Sequence, residues 1–566
     1  MNDPEGGRLR GLLRNPAAQH AGAFLLYLAI WLVAVGPKIL PHMSSWTLSS
    51  YPNEPSVFVW SLEWWAHPFS HGANPLLSST VWAPTGLNLA WVATSPAPGL
   101  VAAPITIPFG PVVSFNVLSL VTPPLTAWTT YLLARHVTRV FPAALVGGYL
   151  FGFSPVVMRE IELGHLNLSM LFLLPLAAYL VVRRLDGTIG PRAFVALLTA
   201  LLVFEFGIFT EILATMTLVG LVVGAVAWLL ASADLRRRLA GAAVLVAVSF
   251  AVAAAVISPY LYTAFAHPQA VKPATFEGLA VGAKSTSDLT RYVLPRPGFA
   301  IGPGVRHRPD LNWWYFGVPL LLLLVLFWVE GWRTFAARLL GLGFLISLVL
   351  SIGSKLPVGG IPFPWAALEK LPLLDRARPG RIIAYAFLFA AISAAVWAAK
   401  GRTKTVGSVL RWLLVAAAAV AIVPNFGAPL WTRNLGVPPL FSTNRYRAEL
   451  CPGETAMVVD KYDGDQLYWQ AETGMYFRTA TWYSGFRPAN YVGLKTALRL
   501  GAVRVKPSDQ PAIRRFISNH RVSVILLRGA PGPVADRLAS MLGVTPRAIG
   551  GVTLLRVAIC GSSAAG

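Results

Sequence analysis

The chain has 566 residues, 55% hydrophobic and 13% charged, with a mean hydropathy of +0.59. These proportions exclude a soluble multidomain protein, and the lack of alternating strands of roughly ten residues excludes an outer-membrane barrel. A net charge of +23 would point a soluble chain toward nucleic acid, but cytoplasmic loops of membrane proteins collect Lys and Arg, and no soluble basic-aromatic tract argues for a nucleic-acid partner.

Arg8, Arg10 and Arg14 precede an apolar run at 21–36 in the manner of a signal peptide. No small-residue cleavage site follows, and Lys38 and Pro41 close what reads as a retained span. The spacing predicts about eleven transmembrane helices, at 22–38, 112–134, 142–157, 166–183, 193–206, 209–230, 240–262, 314–330, 338–352, 381–399 and 409–425. The Pro-broken stretch 98–110 reads as a half-helix. With the N-terminus inside, Arg135, Arg139, Arg183, Arg184, Arg192, Arg236, Arg237, Arg238, Arg333, Arg338, Lys400, Arg402 and Lys404 all fall on the cytoplasmic face. That orientation puts the loops 39–97, 263–313 and 353–380, and the tail, on the exoplasmic face of a plasma membrane.

The expected domains are therefore a transmembrane region over 1–429 and an exoplasmic α/β domain over 430–566. In the tail, TAMVVD, YFRTATWY, VSVILLR and VTLLRVAI read as strands, whereas PAIRRFISNHRV and PVADRLASMLGV carry helical spacing. The tail also holds both cysteines, Cys451 and Cys560, which either close it with a disulfide or stay as buried thiols.

Chemistry is sought first in the loop after the first span, YPNEPSVFVWSLEWWAHPFSHGANPLL. Carboxylates are costly to desolvate, so Glu54 among interfacial aromatics is a candidate general base, with a helix-capping role as the alternative. Tyr51, Trp60 and Trp64 are candidate substrate-binding aromatics, and Glu63 a residue of the wet face. His71, His165, His267 and His307 are scattered.

Further along, Arg159, Glu160 and Glu162 precede GHLN, and Glu205 and Glu211 flank a tight connection between two apolar helices. Groups so placed have either a partner or a pathway; His165, Asn167 and Glu211 are taken as substrate-binding candidates, with internal Glu–Arg pairing as the alternative. Arg376, Arg378 and Arg381 run into the span at 381, where Pro379 and Gly380 begin a helix. Guanidiniums beside a helix N-terminus suit a phosphate, here that of a lipid, and Arg291, Arg296, Arg306 and Arg308 lie on the same loop face. No P-loop, His-Glu-x-x-His or Cys-x-x-Cys pattern calls for a nucleotide, metal or other cofactor.

The stretches NEPSVFVWSLEWWAHPFSHGANPLL, WAPTGLNLAW, GYLFGFSPVVM, GHLNLSMLFLLPL, TEILAT, LPLLDRARPGRI and YWQAETGMYFR resemble a GT-C superfamily membrane glycosyltransferase, and more narrowly an actinobacterial group of glycosyltransferase-like proteins. The resemblance implies a first exoplasmic loop with an acidic catalytic residue and a sugar taken from a polyprenyl-phosphate donor. By position that acid is Glu54, where relatives are expected to have Asp before Pro. The expected activity is inverting transfer to an exoplasmic cell-envelope glycan or lipid acceptor, with the arginines on the carrier phosphate. A transporter or flippase of a lipid-linked sugar, which needs no base, is the alternative.

Overall fold

The computed structural model describes residues 15–51, 53–70, 72–267, 292–294, 299–300, 314–355, 361–371, 374–375, 377–400, 406–427, 431–459, 464–482, 488–501 and 504–559. Arg376, His71, Arg291, Arg296, Arg306, Arg308, His307 and Cys560 lie outside the described residues.

Among the described residues, eight helices are long and apolar enough to cross a membrane: Pro16–His42, Pro111–Thr138, Phe141–Leu163, Leu166–Leu185, Pro191–Ile208, Thr210–Leu230, Ala233–Val256 and Pro379–Ala399. Four shorter apolar helices, Pro96–Phe109, Val318–Gly331, Phe335–Ser351 and Val406–Ala421, accompany them. The chain is a multi-pass helical membrane protein. The half-helix expected at 98–110 is the short apolar helix Pro96–Phe109, with Pro104 and Pro108 inside it.

The chain forms two compact units. The first comprises Met1–Pro41, Leu118–Val256 and Gly278–Trp431, and the second His42–Val117, Ile257–Glu277 and Thr432–Gly566. A division at about 430 was expected, but the unit beginning there also takes in the first loop and the segment after Val256. The first loop is thus part of a folded domain with the tail, for reasons visible in its hydrogen bonds.

In the first unit the helix Pro379–Ala399 is the most enclosed, 83% of its apolar stretch being buried, against 17% for Ala233–Val256. Its sequence IAYAFLFAAISAAVWAA brings Ala391 and Ala395 against Gly147 of the helix Phe141–Gly152. A Cβ added at Gly147 would sit 3.0 Å from that of Ala395, so small residues set the close approach of the two backbones. At the N-terminal helix, Trp31 meets Trp431 edge-on at 6.1 Å and the Tyr27 hydroxyl donates to the Leu145 carbonyl at 2.8 Å.

The second unit is built on a five-stranded sheet. Its strands are β1 (Thr455–Val459), β2 (Arg478–Thr479), β3 (Val522–Arg528), β4 (Arg547–Ile549) and β5 (Val552–Arg556), in the order β2-β1-β3-β5-β4. The β1–β2 and β1–β3 pairs are parallel, and the two pairs made by β5 are antiparallel. β1 and nearly all of β3 are buried, as an apolar run without polar alternation requires. The helices of this unit that matter below are α1 (Glu54–Ala66), α2 (Asp465–Glu472), α3 (Leu494–Gly501), α4 (Gln510–Asn519) and α5 (Pro533–Leu542). Cys451 is disulfide-bonded, and Cys560 is the one other cysteine in the chain.

Buried polar groups tie the first loop into this domain. Trp60 Nε1 donates to Gln470 Oε1 at 2.7 Å, and the Gln470 amide donates in turn to the Thr80 and Phe477 carbonyls at 2.9 and 3.0 Å. His520 lies between the rings of Tyr491 and Phe516, with Nδ1 3.0 Å from the Ala83 carbonyl and Nε2 2.8 Å from that of Val492. The Trp60 and Gln470 bonds satisfy groups that would each cost about 1–3 kcal/mol if left buried and unpaired, so the loop and the tail are mutually stabilising.

Candidate active site

Glu54 opens α1. Pro55 follows it at a position where a missing N–H costs nothing, and the Asn53 carbonyl accepts from both the Ser56 amide at 3.2 Å and its hydroxyl at 2.5 Å. The Asn53 side chain does not cap the helix; its Oδ1 is buried with no hydrogen-bond partner among the described residues. Glu54 itself is half-buried. A carboxylate at this end of a helix is favoured by the macrodipole while keeping both oxygens as acceptors.

Trp60 and Trp64, expected as substrate-binding aromatics, are core residues. They are 0% and 2% exposed, stack on each other at 5.2 Å and 10°, and Trp60 also packs on Trp482 at 5.1 Å. Trp64 Nε1 donates to the Pro75 carbonyl at 2.9 Å. Their indoles fill the interior of the second unit, and in a sequence an interfacial aromatic cannot be told from a core one.

Glu63, one turn before the end of α1, pairs with His67 at 3.3 Å. Burial pushes its carboxyl up to about 7; His67 opposes the rise and Glu472 adds to it. Burial also raises Glu472. Because the folded value of Glu63 lies above the ordinary 4.5, the unit is favoured with Glu63 protonated, and that advantage is lost as pH climbs from about 4.5 through about 7. Between about pH 5 and about pH 8 the protein should lose about 2–3 kcal/mol from this group, and Glu63→Gln should flatten that part of the profile. Unfolding midpoints in detergent at the two pH values check it; an unchanged slope in the variant would remove Glu63 as the cause.

The first unit gathers its own polar cluster. Glu211, in the first turn of the helix Thr210–Leu230, forms an ion pair with Arg381 and accepts from the Arg378 amide at 3.0 Å. Arg378 and Arg381 belong to the segment entering the 3₁₀ turn Pro379–Ile382, where an N-terminal Pro fixes φ and leads into the helix Ile383–Ala399. Arg381 also lies over the Phe209 ring at 5.7 Å, and its Nε is buried without a partner among the described residues. The Arg378 side chain is exposed. One turn on, the Thr215 hydroxyl meets that of Tyr385 at 3.0 Å.

His165 precedes, and Asn167 lies on, the short helix Leu166–Ser169. His165 Nδ1 is 2.6 Å from Glu160 Oε2, Arg159 pairs with Glu162 at 2.6 Å, and Asn167 is 4% exposed. Glu205 is fully buried in the helix Pro191–Ile208, and neither carboxyl oxygen has a hydrogen-bond partner among the described residues. Sequence reading had grouped Glu205 with Glu211; the structure gives the arginine partner to Glu211. Among the described residues no group of three His, Cys, Asp or Glu could hold a metal ion.

No protein-family model matches the chain, and no curated protein matches its sequence significantly. Solved structures do match. One is the archaeal oligosaccharyltransferase AglB from Archaeoglobus fulgidus, in complex with an inhibitory peptide and a dolichol-phosphate: 14% identity and TM-score 0.51, over 90% of this chain and 69% of that one. Another is the arabinofuranosyltransferase AftD from Mycobacteria, at 13% identity and TM-score 0.52, over 95% of this chain and 40% of that one. Both are GT-C membrane glycosyltransferases, and this chain has their fold.

Proposed function

We propose that the protein transfers a sugar, with inversion, from a polyprenyl-phosphate donor to a glycan or lipid acceptor on the exoplasmic side of a plasma membrane. The observation that carries this reading is a fold similar to that of AglB, whose structure holds a dolichol-phosphate, and of the arabinofuranosyltransferase AftD. The N-terminus is cytoplasmic and the second unit exoplasmic in this reading, as the Lys and Arg distribution favours.

Glu54 takes the proton of the acceptor hydroxyl. The freed oxygen attacks the anomeric carbon as its bond to the carrier phosphate breaks, and the departing phosphate carries away the electron pair. Arg376 and Arg378 are the candidates for the carrier phosphate, whose charge guanidinium groups suit. Arg381, whose charge is met by Glu211, is a positioning residue for the arginine segment rather than a full cation for the lipid. His165, oriented by Glu160, and Asn167 are donors for the substrate.

Purified protein in liposomes, given a radiolabelled polyprenyl-phosphate sugar and an acceptor, should form a covalent labelled product. Movement of label across the bilayer without product would replace this reading with that of a flippase.

A further inference from the structure

The second unit carries a positive charge excess that membrane sorting does not explain if that unit is exoplasmic. From Lys495 to Arg521 seven residues are Lys or Arg, and Asp509 is the one acid. Asp509 is spent locally: it accepts from the Lys506 amide at 2.9 Å and pairs with Arg499. Arg514 donates to the Met541 carbonyl at 2.6 Å. Lys495, Arg504, Lys506 and Arg515 are exposed and form no ion pair among the described residues, Lys506 lying near the Asp509 carboxylate that Arg499 pairs with. Elsewhere in the tail Glu449, Glu454 and Asp465 are likewise consumed by Arg547, Arg556 and Arg528, their side chains only 14%, 3% and 13% exposed.

Lys495 is on α3 and Arg515 on α4, which pack on each other, and Arg504 and Lys506 lie in the connection between them. α3 packs on β1 and on α4, and α4 packs on β3 and on α5. The inner faces are apolar and used up: Ala497 and Leu500 of α3 and Ile513 and Phe516 of α4 are each at most 4% exposed. Lys495 and Arg499 lie one turn apart on the outer face of α3, and Arg514 and Arg515 flank the outer face of α4. Among the described residues no large hydrophobic side chain is exposed between Gly493 and Ala558, and Val492, just before α3, is the one exposed beside it. A helix that inserts in a bilayer surface needs such anchors, so a dissolved polymer fits this face better than a membrane does.

We infer that the outer face of α3, α4 and their connection binds a polyanionic glycan, through Lys495, Arg504, Lys506 and Arg515. The inference rests on the proposed function for its meaning, since it assigns the acceptor an anionic character. Binding would be electrostatic: each Lys or Arg that neutralises an anionic group of the polymer would release a condensed counterion, and a variant lacking a cation would release fewer.

The test uses the full chain in neutral phosphatidylcholine nanodiscs without any sugar donor, so that polymer binding and transfer are read apart. Heparin and polygalacturonate should bind, neutral dextran should not, and affinity should fall at least about tenfold as salt rises from roughly 50 to roughly 300 mM. The variant K495Q/R504Q/K506Q/R515Q should lose at least about tenfold in affinity. The pairs K495Q/R515Q and R504Q/K506Q should each lose a few-fold, which guards against a folding defect of the fourfold variant. R445Q, exposed elsewhere in the unit, should bind as the parent does. Unchanged polymer binding in the fourfold and paired variants would overturn the inference, as would capture by phosphatidylglycerol vesicles with no affinity for either polymer.

Discussion

Glu54→Gln is expected to abolish sugar transfer, by a factor of roughly 10²–10⁴, the usual contribution of a general base. The substitution keeps the shape and length of the side chain and removes only its capacity to accept a proton. Its effect on the fold should be slight. Helix α1 begins at Glu54, where an acidic side chain contributes about 0.3–1 kcal/mol through the macrodipole, and Pro55 holds the first turn in any case. The helix-capping alternative makes the opposite forecast, a small loss of stability with turnover intact. Glu54→Asp discriminates further: the carboxylate survives one methylene short, so activity should fall between parent and Gln variant. Turnover by Glu54→Gln equal to that of the parent would take Glu54 out of the mechanism.

The largest stability effect is expected at Glu211. Glu211→Ala leaves the Arg381 guanidinium, 12% exposed, without its counter-charge and removes the acceptor of the Arg378 amide. Breaking a buried pair from one side costs about 3–5 kcal/mol, because the remaining charge stays desolvated. Removing both charges costs far less, so Glu211→Ala combined with Arg381→Leu should regain most of the loss in thermal midpoint. A double variant as unstable as Glu211→Ala alone would show that the pair is not the source. Under the proposed function the double variant should still transfer poorly, since the segment carrying Arg378 has lost its anchor. That separates a positioning role from a purely structural one.

Much of this was legible in the residues. The composition dictated a helical membrane protein, because lipid-facing backbone must satisfy its own hydrogen bonds; eight of the eleven expected spans fall on helices long enough to cross, and those at 314–330, 338–352 and 409–425 fall on shorter apolar helices. In the tail TAMVVD, VSVILLR and VTLLRVAI contain β1, β3 and β5, PAIRRFISNHRV covers all of α4 but its first residue, and PVADRLASMLGV contains α5. Arg378 and Arg381 stood out because Pro379 and Gly380 mark a helix start. Glu211 stood out because a carboxylate at the end of an apolar helix needs a reason to be there.

Periodicity and local chemistry by themselves determined the elements, their order along the chain and which side chains were too polar for their surroundings. Tertiary structure alone decided the partners. Trp60 finds Gln470 at a separation of 410 residues, His520 finds Ala83 at 437, and Glu211 takes Arg381 rather than any of the nearer arginines. An apolar or aromatic residue spaced for a membrane interface is spaced equally well for a protein core, so only packing could move Trp60 and Trp64 inside and join the first loop to the tail. The physical reason is that spacing encodes which face of an element is apolar, whereas the choice of what covers that face is a long-range competition among all the faces the chain presents.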